Sequence, residues 1–242
     1  MKRGFTLAEV IITLGVVGVL AALTIPVLIT QVEKRQTANR LRLVFSQITQ
    51  AVERSEFDNE DITSWMFSGK PANENFENYL AKYMIINEIP ELITLNTSGI
   101  KYMEISGNQE TSLRVVKTPG YFYTLPNGTE LFVTSRVITS GGIGILIDLN
   151  GHKSPPNQFG KDTFYGVIST NYRRRFHLPG SFSDSEVTFE SEPNGNRDVL
   201  IGKKKPVKGD KYRYSCSKSG RGLWCGRLIQ VDGWSIAKDY PW

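Results

Sequence analysis

The sequence contains little of the side-chain chemistry that enzymes use for metal binding and covalent catalysis. Among its 242 residues there are two cysteines and two histidines, His152 and His177, which are too few and too widely spaced for a zinc site. The cysteines are not arranged as C-x-x-C, which argues against a redox motif. No nucleophile-elbow, zinc-protease or phosphate-loop sequence occurs. The sequence therefore predicts a protein that is not an enzyme.

Acidic residues are almost absent from the start of the chain. The apolar stretch Phe5–Ile29 carries one ionisable group, Glu9, and follows the basic leader Met1–Gly4. As a helix this stretch is about 37 Å long, enough to cross the roughly 30 Å hydrocarbon core of a bilayer. No small-residue cleavage site of the secretory type follows it before Thr30. Pro26 lies late in the stretch and lacks an N–H, so we expect the helix to loosen or kink there.

These features resemble the N-terminal signal of type IV prepilins and type II secretion pseudopilins. The matching residues are Gly4-Phe5-Thr6-Leu7-Ala8-Glu9, the small residues Gly15, Gly18, Ala21 and Ala22, and Pro26. The resemblance implies that a membrane prepilin peptidase cleaves between Gly4 and Phe5 and that the new amine of Phe5 is N-methylated. It also implies further partners, namely other pilin or pseudopilin subunits and an inner-membrane assembly platform.

The same resemblance gives Glu9 and Pro26 a part in assembly. A carboxylate is costly inside a membrane, so Glu9 needs a partner. In a dry filament core it would pair with the Phe5 ammonium of a neighbouring subunit, a partner that we expect the lone subunit to lack. The resemblance places the N-terminus in the cytoplasm and the head outside, as a single-pass protein of the inner (cytoplasmic) membrane that later joins a filament.

Composition and length predict one globular head after this helix. Hydrophobic residues make up 40% of the chain and aromatic residues 11%, which favours a packed core. We predict a leader at 1–4, a transmembrane or filament-core helix at 5–29, its amphipathic continuation at 30–57, and an extracytoplasmic head at 58–242. The fold class is α+β, with the long helix packed on an antiparallel β-sheet in a pilin-like arrangement.

Apolar periodicity and turn residues suggest the elements of the head. We predict a loop over Asp58–Ala72, a second helix over Asn73–Met84 and a hairpin turn at Pro126-Asn127-Gly128. Pro193–Gly209 is polar enough for a long exposed loop. The predicted strands are Ile100–Ile105, Leu113–Lys117, Tyr121–Leu125, Glu130–Thr134, Ile143–Leu149 and Phe164–Ile168.

One loop has the composition of a cation site. Asp148 lies near the end of a predicted buried strand, and Asn150 and Asp162 follow that strand; together they offer the carboxylate and amide oxygens that calcium prefers. Major pseudopilins carry a calcium loop near their C-terminal end, so the resemblance adds weight to this interpretation. The spacing differs from that of an EF-hand, and a metal-free turn with side-chain caps is the alternative.

The two cysteines, Cys216 and Cys225, lie in the head. Because the resemblance puts the head outside the cytoplasm, a disulfide between them is the expectation and two free thiols are the alternative. Such a bridge would stabilise the protein by about 2–3 kcal/mol in the chain-entropy model.

Two basic clusters occur, at Arg173–Arg175 and at Lys203–Arg213. Such clusters can bind DNA, but a net charge of +5 is mild and charge runs are usually solvated, so we predict no nucleic-acid partner. We expect Trp234, Tyr240 and Trp242 to fix the last segment, Ile229–Trp242, to the sheet.

The sequence thus favours a structural pilin-like subunit of a type IV pilus or type II secretion pseudopilus. A membrane-tethered protein that binds DNA or a surface ligand is the alternative, and an anchored enzyme comes third.

Overall fold

The computed structural model describes residues 4, 6–65, 72–87, 92–95, 97–109, 114–134, 142–169, 176–178, 196–203 and 214–242. It has an α+β layout with a long N-terminal helix and an antiparallel sheet, which confirms the predicted fold class.

Helix α1 runs without interruption over Leu7–Asn59. The predicted apolar and amphipathic segments are therefore one helix, about 80 Å long. Thr6 caps its N-terminus, and the chain leaves it at Glu60, whose φ of 66° is not helical. Its buried residues recur at threes and fours and lie only in the second half: Ala38, Leu41, Val44, Ile48, Ala51, Val52 and Ser55.

Short helical elements follow α1. A 3-10 helix covers Ile62–Ser64, inside the segment predicted as a loop. Helix α2 spans Ala72–Tyr79, and a second 3-10 helix spans Ala81–Tyr83. Together these two correspond to the predicted helix Asn73–Met84. Phe76 is fully buried and its ring centroid lies 4.4 Å from that of Tyr123, so α2 covers the sheet.

The described strands form one antiparallel sheet in the order β1-β2-β3-β4-β5-β6. Successive strands pair with each other, for example Phe122 with Phe132 and Phe132 with Leu146. The predicted turn at Pro126–Gly128 joins β2 to β3, with Gly128 at a φ of +79°. The bounds are β1 Leu92–Ile93, β2 Gly120–Thr124, β3 Glu130–Thr134, β4 Gly142–Asp148, β5 Thr163–Ser169 and β6 Phe176–His177.

Two predicted strands are wrong. Over Ile100–Ile105 the structure shows only isolated bridges from Met103, to Gln109 and to Gln158. Within Leu113–Lys117, residues Arg114–Lys117 form the one-turn helix α3; Leu113 lies outside the described residues. Short apolar runs do not distinguish strand from helix, and here the burial of single side chains such as Val116 decides the conformation.

The prediction of a long exposed loop over 193–209 is wrong where the structure describes it. Asn196 caps the one-turn helix α4, Arg197–Leu200, whose Val199 and Leu200 are buried. The last helix, α5, spans Cys225–Val231. Of the two basic clusters, only Lys203 falls within the described residues, and its Nζ lies 3.1 Å from Asp239.

The last segment is fixed by its aromatic residues, but not mainly to the sheet. Trp234 lies against Phe45 of α1, which also contacts Phe176 of β6, both at 5.2 Å between ring centroids. Tyr240 is buried, and its hydroxyl donates to the backbone oxygen of Gly160 in the β4–β5 loop. The core therefore lies between α1, the sheet and this segment.

Candidate functional site

The first half of α1 is the largest exposed apolar surface of the described structure. Leu7 is 78% exposed, Leu23 69% and Ile29 51%, and none of the most apolar 18-residue window is buried. Within the described residues α1 is the one helix long and apolar enough to cross a membrane. Such a surface needs a bilayer or another protein to cover it.

Glu9 is satisfied within its own chain. Its Oε2 accepts hydrogen bonds from the backbone N–H of Thr6 at 2.8 Å and from the Thr6 hydroxyl at 2.9 Å, and the Glu9 N–H donates back to Thr6 Oγ1. This is a capping box, which a Thr three residues before a Glu forms at a helix start. The lone subunit therefore already gives Glu9 hydrogen-bond partners, whereas the pairing with the Phe5 amine of a neighbouring subunit stays a prediction. Gly4 is exposed; Phe5 lies outside the described residues.

Pro26 lies inside α1, and the helix continues through it to Asn59. Its ring leaves the carbonyl of Ala22 without the usual N–H donor. One turn later the Thr30 hydroxyl donates to the carbonyl of Pro26 itself at 3.1 Å.

The β4–β5 loop brings Asp148 and Asp162 together, as the sequence suggested. Asp148 ends β4; its Oδ2 accepts from the Tyr102 hydroxyl at 3.1 Å and its Oδ1 from the Asn150 N–H at 3.3 Å. Asp162 precedes β5 and accepts from the backbone N–H groups of Asn157 at 3.0 Å and Gln158 at 2.6 Å.

Both carboxylates are buried, at 1% exposure for Asp148 and 9% for Asp162. Burial raises the pKa of Asp148 to about 7, and the negative charge of Asp162 adds to the rise. Burial also raises the pKa of Asp162, although hydrogen bonds from Gln158 and Asn157 oppose it. The Tyr102 pKa is raised by burial and by Asp148.

The donor set of this loop fits calcium better than it fits zinc. No described lysine or arginine forms an ion pair with Asp148 or Asp162. In the described part of the chain no three His, Cys, Asp or Glu side chains come together as a metal site. However, the amide oxygens of Asn150 and Asn157 are buried without a hydrogen-bond partner, while their Nδ2 atoms donate to the backbone oxygens of Ser154 and His152. Calcium accepts such amide oxygens alongside carboxylates.

Sequence reasoning missed two residues of this site. Asn157 lies in the same Asp- and Asn-rich loop, so its residue type was the available signal. Tyr102 lies 46 residues from Asp148 in the chain, and nothing local to either residue indicates their contact. Beside the loop, Glu130 of β3 bonds the backbone N–H and the ring Nδ1 of His152, the latter at 2.6 Å.

Cys216 and Cys225 form a disulfide, which confirms the expected pairing. Both residues are completely buried. A Cβ placed on Gly160 would lie 2.8 Å from Cys225 Sγ, so the bridge packs directly against the β4–β5 loop. The disulfide and the loop therefore form one structural unit.

Comparison with known proteins matches part of the chain to a family model. Residues 27–123 match the model of a family of unknown function (DUF6613). This region begins in the apolar half of α1 and ends in β2. No curated protein and no solved structure matches the chain.

Proposed function

We propose that this protein is a structural, pilin-like subunit that assembles through the first half of α1 into a type IV pilus or a type II secretion pseudopilus. The observation that supports it is the division of one continuous helix. Its first half is exposed and apolar, whereas its second half is buried by the head. A subunit of a helical filament core needs this division, because the exposed half moves from lipid to contact with other subunits.

In this proposal a prepilin peptidase cleaves between Gly4 and Phe5 while the head lies outside the cytoplasm. The subunit then leaves the inner membrane at an assembly platform. Glu9 exchanges its bonds to Thr6 for the Phe5 amine of a neighbouring subunit. The head faces outward and takes no part in catalysis.

The test compares Glu9→Leu with Glu33→Leu in cells. Glu33 is also an exposed acidic residue of α1, but it lies beyond the apolar stretch. We expect Glu9→Leu to reduce the subunit in sheared filament fractions by tenfold or more, and Glu33→Leu to leave it unchanged. Mass spectrometry of the membrane fraction should show a mature chain that starts at Phe5 and carries one added methyl group.

A chain that still starts at Met1 and works equally well with Glu9→Leu would contradict assembly. That result would favour the alternative, a membrane-tethered binding protein for DNA or a surface ligand.

A second proposal concerns the β4–β5 loop, which we infer binds calcium through Asp148, Asp162 and the amide oxygens of Asn150 and Asn157. Two buried carboxylates with no described cationic partner, beside two unpartnered buried amide oxygens, favour it. A bound divalent cation would supply the missing positive charge and hold the loop in shape.

Thermal unfolding of the full chain in detergent tests this proposal, after chelation and with added calcium. Calcium at 100 times its Kd should stabilise the head by about 2.7 kcal/mol. Asp162→Asn should remove this effect, and Glu53→Gln, which removes one exposed charge from α1, should preserve it. A melting temperature that does not respond to calcium would leave the loop as a metal-free turn.

A further inference from the structure

The part of the head nearest the apolar stretch contacts α1 just beyond Ile29. Lys34 lies five residues after Ile29, which is about 7.5 Å along the helix axis. Its Nζ lies 5.8 Å from the ring centroid of Trp242. The aromatic residue and the cation are therefore held together at the level where the head begins.

The charge at this level is positive. Lys34 is half-buried and Arg35 is exposed, and no described carboxylate forms an ion pair with either side chain. In the last segment, Asp232 and Asp239 are already bound by Arg197, at 2.6 Å each. Glu33 is the exposed acidic side chain adjacent in sequence.

The position of these residues matches the headgroup layer of a bilayer. If the apolar stretch lies in hydrocarbon, Lys34 and Arg35 enter the polar layer directly above it. Tryptophan is favoured at that depth because its ring is amphipathic, and lysine and arginine there attract anionic lipid. Basic residues flank the stretch on both sides, Lys2 and Arg3 before it and Lys34 and Arg35 after it.

We propose that Lys34, Arg35 and Trp242 form an interfacial patch that binds anionic phospholipid headgroups and seats the head on the membrane before assembly. The inference rests on the proposed function only in requiring that the first half of α1 lies in a bilayer. The patch would hold the head upright on the helix.

The experiment uses the full chain in nanodiscs of phosphatidylcholine with or without phosphatidylglycerol. Spin-labelled phosphatidylglycerol reports the fraction of lipid immobilised by the protein, measured against spin-labelled phosphatidylcholine. We expect the native chain to prefer phosphatidylglycerol, and Lys34→Glu/Arg35→Glu to lower that preference about tenfold or more. The matched control is Lys101→Glu/Lys153→Glu, which makes the same charge change at two exposed lysines elsewhere on the head and should keep the preference.

A second readout does not depend on charge reversal. Phosphatidylcholine brominated near the top of its acyl chains should quench tryptophan fluorescence in the native chain, and Trp242→Phe should remove most of that quenching.

The outcomes separate the two proposals. A chain that does not insert into nanodiscs would overturn both the membrane helix and this patch. A chain that inserts but shows no preference for phosphatidylglycerol, or loses it equally in the control variant, would overturn the patch alone. A preference for phosphatidylglycerol that appears only with two copies of the protein per nanodisc would also overturn the lipid-binding patch. It would indicate that these residues contact a second copy of the chain.

Discussion

Gly160 shows how a single residue links the β4–β5 loop to the disulfide. Its φ is +85°, and a Cβ there would lie 2.8 Å from Cys225 Sγ and 2.9 Å from Ile105 Cδ1. The sulfur cannot move freely because it is bonded to Cys216, whereas the isoleucine methyl lies at the end of a side chain that can adjust. Glycine is therefore required at position 160 for two reasons: the positive φ of the backbone and the lack of space for a Cβ.

We predict that Gly160→Ala destabilises the head by about 2–4 kcal/mol, from backbone strain together with overpacking. Gly107→Ala is the matched control, since its φ of +88° is nearly the same but nothing lies within 4 Å of its Cβ position. It should cost only about 1 kcal/mol. Chemical unfolding of both variants measures the difference, and equal values would show that steric contact contributes nothing.

Asp148 should make the metal-free protein less stable as the pH rises. The pKa of Asp148 is raised by burial from 3.8 to about 7, so between these values the folded state binds a proton that the unfolded state releases. Stability is then greatest below about pH 4 and falls as the pH increases to about 7. At 1.36 kcal/mol per pH unit the loss is up to roughly 4 kcal/mol.

We expect Asp148→Asn to flatten this profile when unfolding is followed in the presence of a chelator. In this variant the raised pKa of Asp162 should still make the stability fall as the pH rises, but less steeply. Stability of the native metal-free chain that increases from pH 4 to pH 7 would show that Asp148 is ionised and well compensated in the folded state.

Helix α1 is a single element whose two halves lie in different environments. Leu41 is fully buried in the head, whereas Leu23 is 69% exposed. We predict that Leu41→Ala costs about 2–5 kcal/mol of head stability and that Leu23→Ala, the same chemical change, costs less than about 0.5 kcal/mol. Urea unfolding in detergent, followed by the near-ultraviolet signal of the head, measures both. Similar losses would mean that the apolar half also packs on the head.

The elements that could be predicted from sequence are those with a repeating pattern or specific turn chemistry. The threes-and-fours pattern of α1 and the Pro126–Gly128 turn each identify their element locally. In contrast, α3 and α4 are single turns, and their conformation depends on the burial of Val116 and Val199 against distant residues. Such contacts are not encoded in the neighbouring sequence.

The candidate cation site, too, could be predicted only where its residues are close together in the sequence. Asp148, Asn150 and Asp162 share one loop, and their residue types alone indicated a cation site. Tyr102 reaches Asp148 only because the segment around Met103 bridges to Gln158, a pairing between distant parts of the chain. Thr6 lies three residues before Glu9 in a capping-box pattern, so the local partner of Glu9 could be predicted from the sequence.

At the scale of the whole molecule, the head should not need the first half of α1 in order to fold. None of the most apolar window is buried, so its removal deletes no contact with the core. We predict that a chain shortened to begin at Gln31 is soluble without detergent and melts within about 3 °C of the full chain, a change below about 1 kcal/mol. Circular dichroism and thermal melting test this. A much lower melting temperature would show that the deleted segment stabilises the head.

The hydrogen bonds between Thr6 and Glu9 have a consequence for the proposed assembly. These hydrogen bonds lower the cost of holding the Glu9 carboxylate in a bilayer, but they supply no positive charge. Incorporation as proposed would exchange these hydrogen bonds for an ion pair, so the difference between the two states, and not the full strength of the ion pair, would favour the assembled subunit. Under the same proposal, a smaller net gain per subunit would also make it easier for subunits to return to the membrane.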